Sequence, residues 1–366
     1  MLDSHPNPPV IIRLALYTAI SFLISFLIFP VLIKLVSQWR LFDSPGSHKI
    51  HSDYKPSIGG IAVLVSALFT LVLALPMSEW VANKYVFTSI ILMALIGLRD
   101  DALALSPVQK LLSQFLPVVL LVFFNKTTLN SSYGLFELPQ IPMIAIWLLS
   151  LFTLLILTNA FNLIDGIDGL AGTIGAIGLV TFGLWFCRAG NSSMGLISLT
   201  FAGALLGFLI FNWEPSKIFM GDTGALMIGM MISFLALLFI NTNYNLPDTH
   251  PAKMHASVAT AICVVIIPVF DTLRVIILRL RHGLSPFHAD KNHLHHQFIK
   301  LGFSHSKAVI CIAGINVVMI ALAWFLRKQN DLLILGIVIA LCLLVNFTLK
   351  WAQSKLKPDG TENKIN

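Results

Sequence analysis

Apolar residues recur in runs of about twenty along nearly the whole chain, each closed by a short polar stretch. Eleven such runs can be drawn, at roughly 12–36, 58–77, 82–98, 107–125, 141–163, 170–188, 193–211, 223–240, 255–279, 307–326 and 332–350. Runs of this length, wound as α-helices, cross a hydrocarbon core about 30 Å thick. The longest polar stretches between them are 37–57, 126–140, 241–254 and 280–306, and none has the length of a soluble domain. The pattern predicts an all-α, polytopic integral membrane bundle of about eleven transmembrane helices. It forms a single transmembrane domain over 1–351, followed by a short polar tail over 352–366.

Composition agrees. Of 366 residues, 57% are hydrophobic and 11% are charged, against roughly 25% charged in soluble domains. Lys and Arg set the orientation. With the N-terminus outside, 17 of the 24 fall on one side, which is then the cytoplasmic one. The odd number of spans puts the C-terminus and its tail inside as well. A net charge of +7 suits anionic headgroups or an anionic substrate, and nucleic acid is not expected. Cys187, Cys263, Cys311 and Cys342 lie in apolar surroundings without a Cys-x-x-Cys pair and read as small core residues. The first apolar run, Leu14 to Leu35, is longer than a signal h-region and lacks a small-residue cleavage site.

Against this background the polar clusters stand out. Asn159-Ala-Phe-Asn162-Leu-Ile-Asp165-Gly-Ile-Asp168-Gly-Leu170 places a polar residue at every third position at the end of an apolar run. Residues three apart drift slowly around one side of a helix, and Gly166 and Gly169 predict that the helix ends there. Asp100 and Asp101 close the third run, Met220-Gly221-Asp222-Thr223-Gly224 opens the eighth, and His288, Lys291, His293, His295 and His296 crowd the 280–306 loop. Lys49, His51, Lys55 and Gly59-Gly60 lead into the second run, and Lys217 precedes the Asp222 stretch. All of these fall on the cytoplasmic side. Polar and ionisable groups at such depth read as functional.

Each cluster has a chemical reading and a plainer one. Adjacent carboxylates repel and call for a partner; Asp100-Asp101 could share a divalent cation such as Mg²⁺ or Mn²⁺, or form an exposed acidic loop end. Asp222 could ligate that metal, cap a helix N-terminus, or do both. The histidines could meet phosphate, bind a transition metal, or form a solvated loop. Lys217 and the 49–60 segment could contact phosphate or anchor the positive side. Asp271 and Arg274, one turn apart, read as a structural ion pair. No Gly-x-x-x-x-Gly-Lys-Ser/Thr or Gly-x-Gly-x-x-Gly loop is present, so ATP-driven transport lacks support.

Taken together, Asp100-Asp101, the 159–170 stretch, Phe219-Met-Gly-Asp222-Thr-Gly224 and His293-Leu-His295-His296 resemble the polyprenyl-phosphate N-acetylhexosamine-1-phosphate transferases, in that family's order and over about residues 12–350. His-Leu-His-His after Ser285-Pro-Phe looks like the WecA type. The more distant MraY type typically has three consecutive histidines, from which this chain departs.

The resemblance implies transfer of a hexosamine-1-phosphate, GlcNAc-1-phosphate being the expected one, from a UDP-N-acetylhexosamine to undecaprenyl phosphate. UMP leaves, in the first membrane step of cell-envelope polysaccharide (O-antigen or related) synthesis at the bacterial inner membrane. By the same resemblance Asp222 is the prime metal ligand beside Asp101 and Asp100. Asp168 and His295 join these three as catalytic residues. Lys49, His51, Asn159, Asn162, Asp165, Lys217, His293 and His296 would bind substrate. The lipid phosphate attacks directly, being largely ionised with a second pKa of roughly 6; a covalent aspartyl intermediate is the competing route. A homodimer stays open. The rival readings are the same chemistry on another UDP-sugar or on the muramoyl-pentapeptide and, in a different class, a secondary transporter, whose sites lie near the bilayer midplane in inverted repeats.

Overall fold

A computed structural model describes residues 8–39, 55–133, 141–286, 290 and 292–356. All regular structure among them is helical. In chain order the helices are α1 (Pro8–Trp39), α2 (Gly59–Ala74), α3 (Met77–Ala82), α4 (Lys84–Ala102), α5 (Pro107–Val119, prolonged by a π turn at Leu120–Phe124), α6 (Met143–Leu163), α7 (Leu170–Arg188) and α8 (Ser192–Asn212). They continue with α9 (Gly221–Asn245), α10 (Ser257–Val264), α11 (Ile266–Arg281), α12 (Leu294–Lys300), α13 (His305–Phe325) and α14 (Asp331–Leu356).

Every expected apolar run coincides with a helix, except 255–279, which is two. Among the described residues eight helices are long and apolar enough to cross a membrane, and α10 with α11, bent by 82°, makes a ninth candidate. α2 has only 16 residues, and α4 carries Lys84, Arg99, Asp100 and Asp101, so neither meets that measure. The chain is a multi-pass membrane protein. The bend falls where Pro268, in the first turn of α11, contributes no N–H to a helix continuing from α10. α9 and α14 run several residues past their expected ends. Hydropathy marks the hydrocarbon stretch, whereas the backbone stays helical into the headgroup zone.

α9 is the hub. Of its most apolar stretch, 94% is buried, against 72% in α7, 78% in α8, and only 17% and 22% in α1 and α14. A helix apolar on every side belongs either inside a bundle or in lipid, and this chain uses both. Lipid tails give helices no hydrophobic reason to associate, so close approach and interhelical hydrogen bonds carry more of the packing. Ser21 and Ser25 on α1 donate to Thr200 O and Ala204 O on α8, at 2.8 and 2.7 Å. Gly60 at the start of α2 lies on Gly224 of α9, where a Cβ would stand 2.2 Å from the Gly224 nitrogen.

Candidate active site

The acids gather where α4 ends and α5 and α9 begin. The start of α5 is fixed locally. Ser106 accepts from Gln109 N, the Gln109 side chain accepts from Ser106 N, and Pro107 occupies the first helical position. That cap aims Lys110 back at α4. Its Nζ lies 2.8 Å from Asp100 Oδ2 and 2.7 Å from Asp222 Oδ1, and it donates to Asn162 Oδ1 at 3.2 Å. Asn162 also donates to Asp222 Oδ1 at 2.6 Å. One ammonium therefore ties α4, α5, α6 and α9 together. Asp100 Oδ1 accepts from Leu105 N at 2.7 Å.

Asp101 has a different role from its neighbour. Its oxygens accept from Asp222 N (2.7 Å), Thr223 N (2.9 Å) and Thr223 Oγ1 (2.7 Å). This is an N-terminal cap for α9 supplied from another helix, and a carboxylate there also meets the positive end of the helix dipole. Gly221, just before, has φ +71°, and a Cβ on it would stand 2.4 Å from Ser57 O. Only glycine fits that turn comfortably. The neighbouring strands of chain are pinned by Gly59 N donating to Phe219 O (2.9 Å) and Gly60 N to Met220 O (3.0 Å).

One turn before Asn162, Asn159 pairs with the fully buried Gln114 of α5. Asn159 Nδ2 donates to Gln114 Oε1 at 2.6 Å, and Gln114 Nε2 returns a bond at 3.3 Å. Asn159 thus braces the α5–α6 contact below the site. The helix stops at Leu163, as the glycines predict, and Gly169 takes φ +83° before α7. Asn212 holds this loop: its Oδ1 accepts from Gly169 N, and its Nδ2 donates to Ile218 O, both at 2.9 Å.

Asp165 is half-buried in the loop and accepts no hydrogen bond among the described residues. Burial, with the charges of Asp222, Asp101 and Asp168 added, pushes its carboxyl up to about 7. Asp168 accepts from Ser216 N at 3.3 Å and stands 3.6 Å from His305 Nδ1 at the start of α13. Beside them Gly166 leaves room for His295, whose Nε2 would lie 2.2 Å from a Cβ there. His295 is 2% exposed, and its Nδ1 has no partner. Burial first, and then the His296 ring 4.3 Å away, pull its pKa down to about 3, so the imidazole is neutral at physiological pH. His293 stacks on His295 at 5.7 Å and is oriented by Asp271 through Nδ1 at 2.9 Å. The expected Asp271–Arg274 pair is present at 2.9 Å; it forms the seat of the histidine loop.

Asp100, Asp101, Asn162, Asp165, Asp168, Asp222 and His295 thus share one rim. Lys217 is exposed at its edge, its side chain bonded to nothing among the described residues. Lys49, His51 and His288 lie outside the described residues. Lys110 and Gln114 went unsingled in the sequence because a lysine and an amide near a span end are ordinary there; their spacing of four, facing Asn159 and Asn162, was the available signal. Among the described residues no three His, Cys, Asp or Glu side chains form a ready metal cage. Asp101 in particular faces backbone donors, and the cation between Asp100 and Asp222 is the lysine.

Residues 84–240 match the pattern of glycosyl transferase family 4. Over 346 residues the chain is 29% identical to a probable undecaprenyl-phosphate N-acetylglucosaminyl 1-phosphate transferase of Bacillus subtilis, covering 93% of this chain and 91% of that protein. It is 27% identical over 311 residues to an undecaprenyl-phosphate alpha-N-acetylglucosaminyl 1-phosphate transferase of Escherichia coli O157:H7, covering 81% of each. A decaprenyl-phosphate N-acetylglucosaminephosphotransferase of Mycolicibacterium smegmatis is 36% identical over 157 residues, 41% of this chain and 38% of that protein.

Proposed function

We propose, from the match of residues 84–240 to glycosyl transferase family 4, that the chain transfers N-acetylhexosamine-1-phosphate, most simply GlcNAc-1-phosphate, from a UDP-sugar to undecaprenyl phosphate, releasing UMP. The names of the relatives support the transferred group and the polyprenyl-phosphate acceptor. The carrying observation is that Asp100 and Asp222, from opposite ends of the family segment, share one cation at a rim of helix ends. A lipid acceptor and a water-soluble donor meet only at such a level. Since the rim lies on the side rich in Lys and Arg, its place is the cytoplasmic face of the bacterial inner membrane.

Asp100 Oδ2, Asp222 Oδ1 and Asn162 Oδ1 are hard oxygen donors already drawn around a positive charge, so they fit Mg²⁺ or Mn²⁺. Bound there, the cation would neutralise the phosphoryl oxygens on which charge builds in the transition state. Lys110 then offers its charge to the diphosphate. Asp101 keeps the start of α9, and with it Asp222, in place. Asp165 keeps its own proton up to about pH 7 and is suited to donate a hydrogen bond to a phosphate oxygen of the lipid, which arrives largely ionised with a second pKa of roughly 6. His295, neutral and with an open Nδ1, can donate one N–H to a phosphate oxygen without adding charge.

The test is purified protein with undecaprenyl phosphate and a panel of UDP-sugars, reading UMP and lipid product. One donor should dominate, and Asp222→Ala should abolish UMP release. Near-normal release by that variant, or flux across proteoliposomes without UMP, overturns the reading.

A further inference from the structure

α7 starts beside the carboxylates and ends at Arg188, about 27 Å further along its axis. At that far end a cavity of about 310 Å³ opens between α7, α9, α10 and α13, near the lower limit of the ~300–1,000 Å³ range of ligand pockets. Phe182, Trp185, Val264 and Ile320 line it, with Leu184 and Trp324 exposed at its mouth. Two polar groups break this apolar lining in a way the packing leaves unexplained. Thr260 is 8% exposed, and its Oγ1 has no hydrogen-bond partner. Arg188, also in the lining, lies 5.5 Å from the Trp324 ring centroid, and Arg327 lies 5.5 Å from the same ring. Neither guanidinium has an acid or a carbonyl as partner among the described residues. Cation–π attraction at such distances is worth about 0.5–1 kcal/mol at exposed sites, while two like charges on one indole repel each other. An anion between the two guanidinium groups would offset that repulsion.

We propose that this end of the bundle binds one anionic phospholipid. Its phosphate sits between Arg188 and Arg327, one acyl chain fills the cavity, and a glycerol-ester oxygen near the mouth accepts from the Thr260 hydroxyl. A free phosphate would leave the apolar cavity empty, and a zwitterionic lipid would bring its own cation to two arginines. The site lies at the opposite end of α7 from the proposed chemistry and stands independently of the transfer reaction.

The test is lipid retention. Full-length protein is delipidated, then titrated with phosphatidylglycerol or phosphatidylcholine vesicles of matched acyl chains, and bound lipid is counted by native mass spectrometry. Wild type should prefer phosphatidylglycerol by about thirtyfold, in line with roughly 1 kcal/mol for each of two basic side chains at a lipid surface. Arg188→Gln with Arg327→Gln should erase that preference. Ala323→Phe, which fills the cavity, should reduce retention of both lipids while UMP release stays at the wild-type level. Equal retention of the two lipids by wild type, an unchanged preference in the double variant, or displacement of phosphatidylglycerol by inorganic phosphate or polyprenyl phosphate overturns the proposal.

Discussion

Lys110 is the residue on which the rim turns. Its removal leaves Asp100 and Asp222 facing each other with only Asn162 between them. Lys110→Met should lower stability by about 1–3 kcal/mol, the cost of unmet charged hydrogen bonds, and should abolish UMP release. Lys110→Arg should not restore activity, because a planar fork does not replace a point charge held by three oxygens. Thermal unfolding in detergent and the UMP assay read both. Asp165 makes a pH prediction. Its folded pKa of about 7 exceeds the ordinary 3.8, so the folded state keeps a proton that the unfolded chain has released. Stability is therefore lost as pH rises from 3.8 to about 7 and is level above that. Asp165→Asn should flatten this fall in unfolding scans across the same window. The acids and the amides of Asn159 and Asn162 were legible in the sequence because polar groups closing an apolar run are conspicuous. Lys110 was not, since lysines crowd the positive side of any membrane protein. Nor could adjacent Asp100 and Asp101 be told apart, since their division of labour depends on which helix each one faces.

For whole helices, position matters more than hydropathy. Asp101 caps α9 from a distance of 121 residues in sequence. Asp101→Asn should cost about 0.5–2 kcal/mol, as the loss of a helix cap does, because an amide nitrogen cannot accept from Thr223. The UMP rate should fall with it, since Asp222 is the second residue of that helix. Gly60→Ala places a methyl 2.2 Å from the Gly224 nitrogen. Overpacking of this kind costs about 1–3 kcal/mol, and α9 can yield only by moving its N-terminus; a lower Tm together with a lower kcat is the expected result. Runs of apolar residues revealed where helices lie, but not where they end or bend. The break between α10 and α11 rests on a backbone that no longer continues through Val265 and Pro268, which hydropathy does not register.

At the scale of the whole molecule, the site is one-sided. In a cysteine-free chain, Lys217→Cys, at the exposed edge of the rim, should react with a membrane-impermeant maleimide only from the cytoplasmic side. Asp248→Cys, exposed in the loop after α9, should react only from the other. Labelling of both from the same side would remove the shared rim. The burial of α9 carries one more consequence, for biogenesis. Five of the eight membrane-length helices among the described residues leave the translocon before it, and lipid must occupy its seat until it arrives. Up to that moment Asp101 has no helix start to cap, and Lys110 has only one of its carboxylates. A nascent chain halted short of residue 245 is thus an unfinished vessel with its centre still greasy and its acids unmet, and quality-control proteases would find it most vulnerable there.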